Sequence, residues 1–310
     1  MNIKTGFDNS CVNTLLSIII VNYNGKRFLA DCLQSIAKNV TCSHEIIIVD
    51  NASSDGSADF IKHNFQAITL IENPENSGFS IGNNIGAKVA KGKYLLLLNN
   101  DTLLLTNVVP GIDLLETRPE IGIVGAMMLG RDNEYRFSAG YFPAPLRLIK
   151  ISSLYRRDGP FRDGAFSFAS AVREYYPVDW VEGSFLLTPA DVWGRLAGLD
   201  EDCFMYGEDV DYCKRAKLSG YICVYKPDIQ FNHYGGYGSG RLSLVVTGFL
   251  RYHKRHSGIA IQTLVFTILA VKLAVTNIVN RLRFFISGTP VFRERADSNM
   301  QALRVVFGRK

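Results

Sequence analysis

Apolar residues in the first 130 positions fall into short unbroken runs, each followed by a helical pattern. Residues 15–21 (LLSIIIV) read as a strand, and Phe28, Leu29, Cys32, Leu33 and Ile36 share one face of a helix over 26–38. Further strands are predicted at 45–50, 68–72, 94–99 and 121–129, with helices near 57–65 and 79–91. Strands that are apolar throughout, rather than alternating, are buried on both faces. Their alternation with helices predicts right-handed crossovers and a parallel sheet. Such sheets bind ligands beyond the carboxyl ends of their strands.

Those strand ends are polar. The first is followed by Asn22-Tyr23-Asn24-Gly25, the second by a loop from Asp50 to Gly56, the third by Asn73 to Gly78, and the fourth by Asn99-Asn100-Asp101-Thr102. Taken singly these are ordinary turn and cap residues. Four in succession along one rim point to a cleft for a polar ligand. No G-x-G-x-x-G follows the first strand and no Walker loop occurs, which disfavours a Rossmann dehydrogenase and a P-loop enzyme. The glycines of 78–86 (GFSIGNNIG) resemble a phosphate loop only superficially, because they do not sit at the first crossover.

Residues 131–180 are irregular and carry Arg156, Arg157, Arg162 and Arg173, a candidate loop over the cleft. Beyond it VDWVEGSFLL reads as one strand entering the sheet. A polar loop and a carboxylate-rich helix start follow, stopped at Gly220. YICVYKP is another strand, and FNHYGGYGSGR a flexible loop.

With 310 residues, 47% of them hydrophobic, the chain has material for one large domain or two small ones, which excludes wholesale disorder. The net charge of +5 hides an asymmetry: residues 241–310 hold twelve Lys/Arg against two Asp/Glu, a net +10, leaving −5 for the rest. A basic tail on an acidic body suits an anionic surface. Within it, fifteen residues from Ser257 to Val271 carry no charge before Lys272 intervenes. That is short for a membrane span. Leu264, Ile268, Val271, Val275, Ile278 and Leu282 form an apolar stripe at helical spacing, with Arg251, Lys254, Arg255, Arg281, Arg283, Arg293 and Arg295 around it. This predicts an amphipathic helix lying on a membrane, with core packing or a homo-oligomer contact as the competing use of the stripe. The six cysteines form no C-x-x-C pair, so reduced thiols in a cytoplasmic protein are expected rather than zinc or disulfides. No secretory signal is visible.

The ordered set VNYNG, VDNASSDGS, NPENSGFSIGNNIG, LNNDT, VDWVEGSF, GLDEDCFMYGEDVDYC and NHYGG, over about residues 14–255, resembles the inverting family-two glycosyltransferases of GT-A fold. Among them it is most similar to bacterial rhamnosyltransferases. The resemblance implies an α/β, Rossmann-like, mostly parallel sheet flanked by helices over residues 1–240. A nucleotide-binding half would run to about 105 and an acceptor half to about 240, with the basic helical tail at 241–310.

The resemblance also implies site residues. A leaving nucleoside diphosphate needs a divalent cation, Mg²⁺ or Mn²⁺, held by hard ligands. Asp101 and His233 are the metal candidates. The family presents a D-x-D-like motif here, and this chain has Asn99-Asn100-Asp101, so one carboxylate is replaced by an amide. The donor nucleotide would meet Asn22, Asp50 and Asp55, with Tyr23 as a stacking face. Asn76, Gly78, Asn83, Asn99 and Asn100 would stand near diphosphate and sugar, and Asn83 and Asn84 are equally readable as helix-surface residues. Inversion needs one base to take the acceptor proton. Asp209 is the expected base and Glu208 the second choice, although carboxylates at a helix start also suit its dipole. Trp180, Glu182 and Gly183 would form the acceptor side, Trp180 offering a ring face if exposed.

The implied function is transfer of a sugar, L-rhamnose from dTDP-L-rhamnose, to a glycan or polyprenyl-diphosphate-linked acceptor in cell-surface polysaccharide synthesis. The enzyme would be cytoplasmic and peripheral on the inner membrane face. The rivals are a UDP-hexose or UDP-galactofuranose transferase and an inactive nucleotide- or glycan-binding protein. No nucleic-acid motif is present, and the strand-end carboxylates argue against nucleic acid in the cleft.

Overall fold

A computed structural model describes residues 14–150, 154, 173–235 and 241–308. Cys11, Arg156, Arg157 and Arg162 lie outside the described residues. The chain divides into two compact units: residues 1–140, 156–204 and 209–235 form the first, and residues 141–155, 205–208 and 236–310 the second.

The first unit opens as the apolar runs dictate: β1 (Leu16–Asn22), α1 (Lys26–Asn39), β2 (His44–Asn51), α2 (Ser57–Asn64), β3 (Thr69–Asn73), α3 (Gly78–Val89) and β4 (Tyr94–Leu98). Then come β5 (Thr102–Leu104), α4 (Val109–Thr117), β6 (Ile121–Leu129), β7 (Tyr135–Arg136) and β8 (Ala139–Gly140). After α5 (Pro145–Ile149), which belongs to the second unit, follow β9 (Tyr176–Val178), β10 (Trp180–Val181), β11 (Phe185–Pro189), α6 (Ala190–Arg195), α7 (Glu208–Leu218) and β12 (Ile222–His233).

The main sheet has the order β3-β2-β1-β4-β11-β6-β12-β5. Strands β3, β2, β1 and β4 are parallel, and β12 is parallel to β6. The sheet is mostly parallel, as the resemblance implies, and β11 runs antiparallel between β4 and β6. The reversal matters for the site. The amino end of an antiparallel strand lies on the same rim as the carboxyl ends of its parallel neighbours. Phe185 therefore pairs with Leu98, and the turn at 182–184 is delivered to that rim. VDWVEGSFLL is likewise not one strand: Val178 ends β9, β10 leaves the main sheet to pair with β8, and β11 re-enters it. The core is the set of continuous apolar strands: Ile18, Ile20, Ile46, Ile48, Leu96, Leu98, Val124 and Phe185, closed by Leu29, Leu33 and Ile36 of α1. The five described cysteines are free, and burial pushes the Cys32 thiol up to about 12, so that thiol is inert.

In the second unit the tail is three helices, not one: α8 (Arg241–His256), α9 (Ile259–Ser287) and α10 (Pro290–Val306). Gly288, at φ +65, ends α9, and Pro290 opens α10, the asymmetry expected of the two residues. Val246 of α8, Val265, Leu269 and Leu273 of α9, and Ala302 and Val306 of α10 share a core with Leu148 and Leu154.

Candidate active site

The rim begins at Asn22, the buried last residue of β1. Its Nδ2 donates to Asp50 Oδ1 at 2.7 Å and to Ser53 Oγ at 3.1 Å, and its Oδ1 accepts from Asn100 Nδ2 at 2.7 Å. One amide thus ties the ends of β1, β2 and β4 together. Asp50 also accepts from the Ser53 hydroxyl at 2.7 Å and the Ser53 amide at 2.9 Å. Both of its oxygens are therefore committed inside the protein, and Asp50 shapes the pocket more than it reaches out. Asp55 accepts from the Lys26 and Ser57 amides and from the Ser57 hydroxyl. Burial would raise its pKa, but these hydrogen bonds outweigh that and hold it below the ordinary carboxylate value. Tyr23 is 52% exposed, leaving a ring face available to a base.

At the third loop Asn76 turns inward, its Oδ1 accepting from the Gly78 amide at 3.1 Å and from Asn51 Nδ2 at 3.4 Å. Gly78 itself stands at φ +83, and a Cβ there would collide with the Phe204 carbonyl at 2.5 Å, while the next amide, of Phe79, donates to that carbonyl at 2.8 Å. The two asparagines of α3 separate. Asn84 clamps the loop after α6, donating to Leu199 O at 2.9 Å and Glu201 Oε1 at 3.0 Å and accepting from Leu199 N at 2.9 Å. It is a structural residue rather than a ligand contact. Asn83 donates to Phe79 O at 2.9 Å, and its buried Oδ1 has no hydrogen-bond partner among the described residues. The buried hydroxyls of Ser80 and Ser184 are in the same condition. Asn84→Ala is expected to destabilise the protein by about 2–3 kcal/mol, since it strands the buried Leu199 amide and carbonyl. Urea unfolding of the variant checks this; an unchanged midpoint would contradict the clamp.

The centre of the rim is the end of β4. Asp101 Oδ1 lies 3.1 Å from His233 Nε2, and Asn99 Nδ2 lies 3.3 Å from the same nitrogen. The Asn99 amide bonds Ser184 O at 3.2 Å, and Asp101 O accepts from the Tyr234 amide at 2.9 Å. These backbone bonds fix the two side chains from both sides. His233 is the last residue of β12, paired with Thr102, and not in the loop after the strand. Its strand is longer than YICVYKP because Pro227 and Asp228 fall in a register shift between Lys226 and Gln230, after which pairing resumes. Burial alone would lower the basicity of His233, but the hydrogen bond and charge of Asp101, with a further contribution from Glu182, raise it above its ordinary value.

The donor types present are compatible with a divalent cation. Asp101 offers a hard carboxylate, His233 an imidazole nitrogen and Asn99 an amide. A Cβ on Gly235 would stand 2.6 Å from Asp101 Oδ2 and 3.0 Å from His233 Nε2, so the glycine keeps open the volume beside both. Gly235 and Ser53 are the contributors that reading the sequence did not single out, although both lie inside quoted motifs. Among the described residues no group of three or more His, Cys, Asp or Glu gathers anywhere, so the remaining coordination would fall to diphosphate oxygens and water.

Across the turn before β11, the Gly183 amide donates to Asp209 Oδ2 at 3.1 Å, and the Val210 amide donates to Asp209 Oδ1 at 2.8 Å. A Cβ on Gly183 would sit 3.0 Å from the Phe79 ring, so the approach is tight. The neighbouring carboxylates differ from Asp209. Asp211 is buried in an ion pair with Arg215 at 2.7 Å, and Glu208 is itself buried, at 5% exposure. Asp209 is the partly accessible one, oriented by two amides. Trp180 is 9% exposed and held in the β10–β8 pair, so the condition for a stacking face, an exposed ring, is not met. Glu182 is half-buried, its amide bonded to Ser138 O at 2.8 Å.

A mixed sheet of this order, with its polar groups gathered on one rim, has the architecture of a GT-A glycosyltransferase. The mannosyltransferase PcManGT of Pyrobaculum calidifontis, solved with GDP-Man and Mn²⁺, aligns at a TM-score of 0.57 and 15% identity over 96% of this chain and 87% of that one. GalNAc-T7, solved with UDP, GalNAc and Mn²⁺, also aligns at 0.57, with 16% identity over 79% of this chain and 48% of that one. Residues 17–176 match the model of glycosyl transferase family 2, and the chain belongs to that family. Its curated relatives include the N-acetylglucosaminyl-diphospho-decaprenol L-rhamnosyltransferase of Mycobacterium tuberculosis, 24% identical over 73% of this chain and 78% of the relative. The rhamnosyltransferase WbbL of Escherichia coli K12 is 26% identical over 71% of this chain and 83% of its own length.

Proposed function

We propose that this glycosyltransferase moves L-rhamnose from dTDP-L-rhamnose, with inversion, to a glycan or polyprenyl-diphosphate-linked acceptor of cell-surface polysaccharide, using Mg²⁺ or Mn²⁺. The observation that carries the reading is the pairing on one rim of Asp101 and His233, beside the volume kept open by Gly235, with a carboxylate, Asp209, oriented by the Gly183 amide. The donor and acceptor follow the names of the two rhamnosyltransferase relatives. A polyprenyl-linked acceptor places the enzyme in the cytoplasm, at the inner face of the membrane.

In this reading the base and ribose lie over the ends of β1 and β2, stacked on Tyr23 and shaped by the Asn22–Asp50–Ser53 network. Asp101 and His233 hold the cation. Bound there, it neutralises the charge gathering on the departing diphosphate. Asp209 takes the proton from the acceptor hydroxyl as that oxygen bonds C1. The bond from C1 to the phosphate oxygen breaks, and its electron pair leaves with the nucleoside diphosphate. One displacement inverts the anomeric centre and needs no carboxylate nucleophile. Asn83, whose buried Oδ1 has no partner among the described residues, is the residue proposed to hydrogen-bond donor hydroxyls.

The test is a panel of nucleotide sugars with Mg²⁺ or Mn²⁺ and a polyprenyl-diphosphate-linked acetamido sugar, read by nucleotide release and by the anomeric configuration of the product. Release of dTDP with an inverted product is expected. UDP release would assign a hexose or galactofuranose donor, and no release from any donor would support the binding-protein reading.

A further inference from the structure

We infer that α9 is an in-plane membrane anchor whose outward apolar face docks on an anionic bilayer. The inference names the surface behind the membrane location proposed above and does not depend on which sugar is moved.

Helix α9 has 29 residues, about 43 Å at 1.5 Å per residue. Its two faces are unlike. Val265, Leu269, Leu273, Asn277 and Asn280 are buried within the second unit. Asn277 Nδ2 donates to Ala296 O at 2.5 Å, and Lys272 Nζ to Leu148 O at 2.9 Å. The opposite face carries Leu264, Val271, Val275, Ile278, Leu282 and Phe285, exposed by 46%, 57%, 54%, 58%, 56% and 87%. The predicted stripe therefore exists and, apart from Ile268, which packs against the core, it is the face left uncovered rather than a core seam. Ten of the twenty-one exposed large hydrophobics of the described residues lie on this one helix, which makes a contiguous patch and not the usual scatter.

Charge selects the occupant. Residues 241–310 carry a net +10. Exposed Lys254 and Arg255 stand just before α9, and exposed Arg281, Arg283, Arg293 and Arg295 stand near its far end. At 3.6 residues per turn Arg281 and Arg283 fall on opposite sides of the stripe; Arg281 is ion-paired with Asp297 at 3.6 Å and Arg283 lies over the Phe292 ring, and both are exposed where phosphate headgroups would meet them. A second copy would bring two strongly positive surfaces together, whereas an anionic bilayer neutralises them.

By length and composition alone α9 could cross a membrane. Its packing argues for lying flat. A spanning helix must present apolar groups all round or to other spanning helices. The inner face of α9 packs with α10, which exposes Arg293, Glu294, Arg295, Asp297, Gln301 and Arg304 and cannot enter hydrocarbon.

The test is co-sedimentation of the full chain with vesicles of phosphatidylglycerol and phosphatidylcholine, without donor or acceptor, so its outcome is separable from that of the transfer reaction. Binding is expected, weaker on phosphatidylcholine alone and reduced but not abolished by high salt. The double variant Val275→Asp/Phe285→Asp, whose sites are exposed and whose fold is verified by circular dichroism, should partition at least roughly a hundredfold less, since each side chain loses its full burial. Absence of vesicle binding by the full chain, or equal pelleting of the variant, would overturn the inference. So would a solution dimer that the double variant converts to monomer without any vesicle binding.

Discussion

Asp101→Ala is expected to abolish cation-dependent nucleotide binding and to lower transfer by at least about 10²–10³, the usual cost of losing one group that stabilises charge on a leaving or attacking oxygen. The loss follows from how few ligands there are. With an amide at Asn99, Asp101 is, among the described residues, the carboxylate in contact with His233 Nε2 at the end of β4. The fold should survive, because the backbone bonds of Asn99 to Ser184 and of Tyr234 to Asp101 do not involve the deleted carboxylate. Binding of dTDP by the variant, measured with and without Mn²⁺, checks this. Unimpaired transfer by a folded Asp101→Ala protein would end the assignment.

The second large effect is at Asp209. Asp209→Asn keeps the shape and an oxygen for the Gly183 or Val210 amide but removes the proton acceptor. Turnover should fall by about 10²–10⁴, the range for loss of a general base, while donor binding is unchanged. Separate measurements of kcat and donor affinity distinguish this from a structural defect, which would damage both. Near-normal turnover would move the role to Glu208.

The parallel half of the sheet was readable because its strands are apolar on both faces and its helices carry clear stripes. Direction was not readable: an apolar run such as Phe185–Thr188 has the same pattern whichever way it runs, and only its neighbours make β11 antiparallel. β5 escaped notice because three residues give no period. The end of β12 was hidden by Pro227-Asp228, which normally stops a strand but here is absorbed by a register shift. At the site, residue types and loop positions were legible, while the direction each side chain faces was not. Asn76, Asp50 and Asp55 are polar residues on the expected strand-end loops, and Asn84 lies on α3, yet their hydrogen bonds hold loops of the protein itself. Composition cannot separate a polar group that builds a rim from one that meets a ligand. In the tail the stripe is legible from its spacing, but Val265, Leu269 and Leu273 on the opposite face are apolar too, and spacing alone does not tell which of the two faces packs.

The central claim is that the strand-end rim is a nucleoside-diphosphate site completed by a divalent cation on Asp101 and His233. Calorimetric titration of the full chain with dTDP and UDP, with Mn²⁺ and with chelator, tests it most directly. The account predicts saturable one-to-one binding of at least one nucleotide that requires the cation. Binding of equal strength in chelator, or none with either nucleotide in the presence of Mn²⁺, would contradict it.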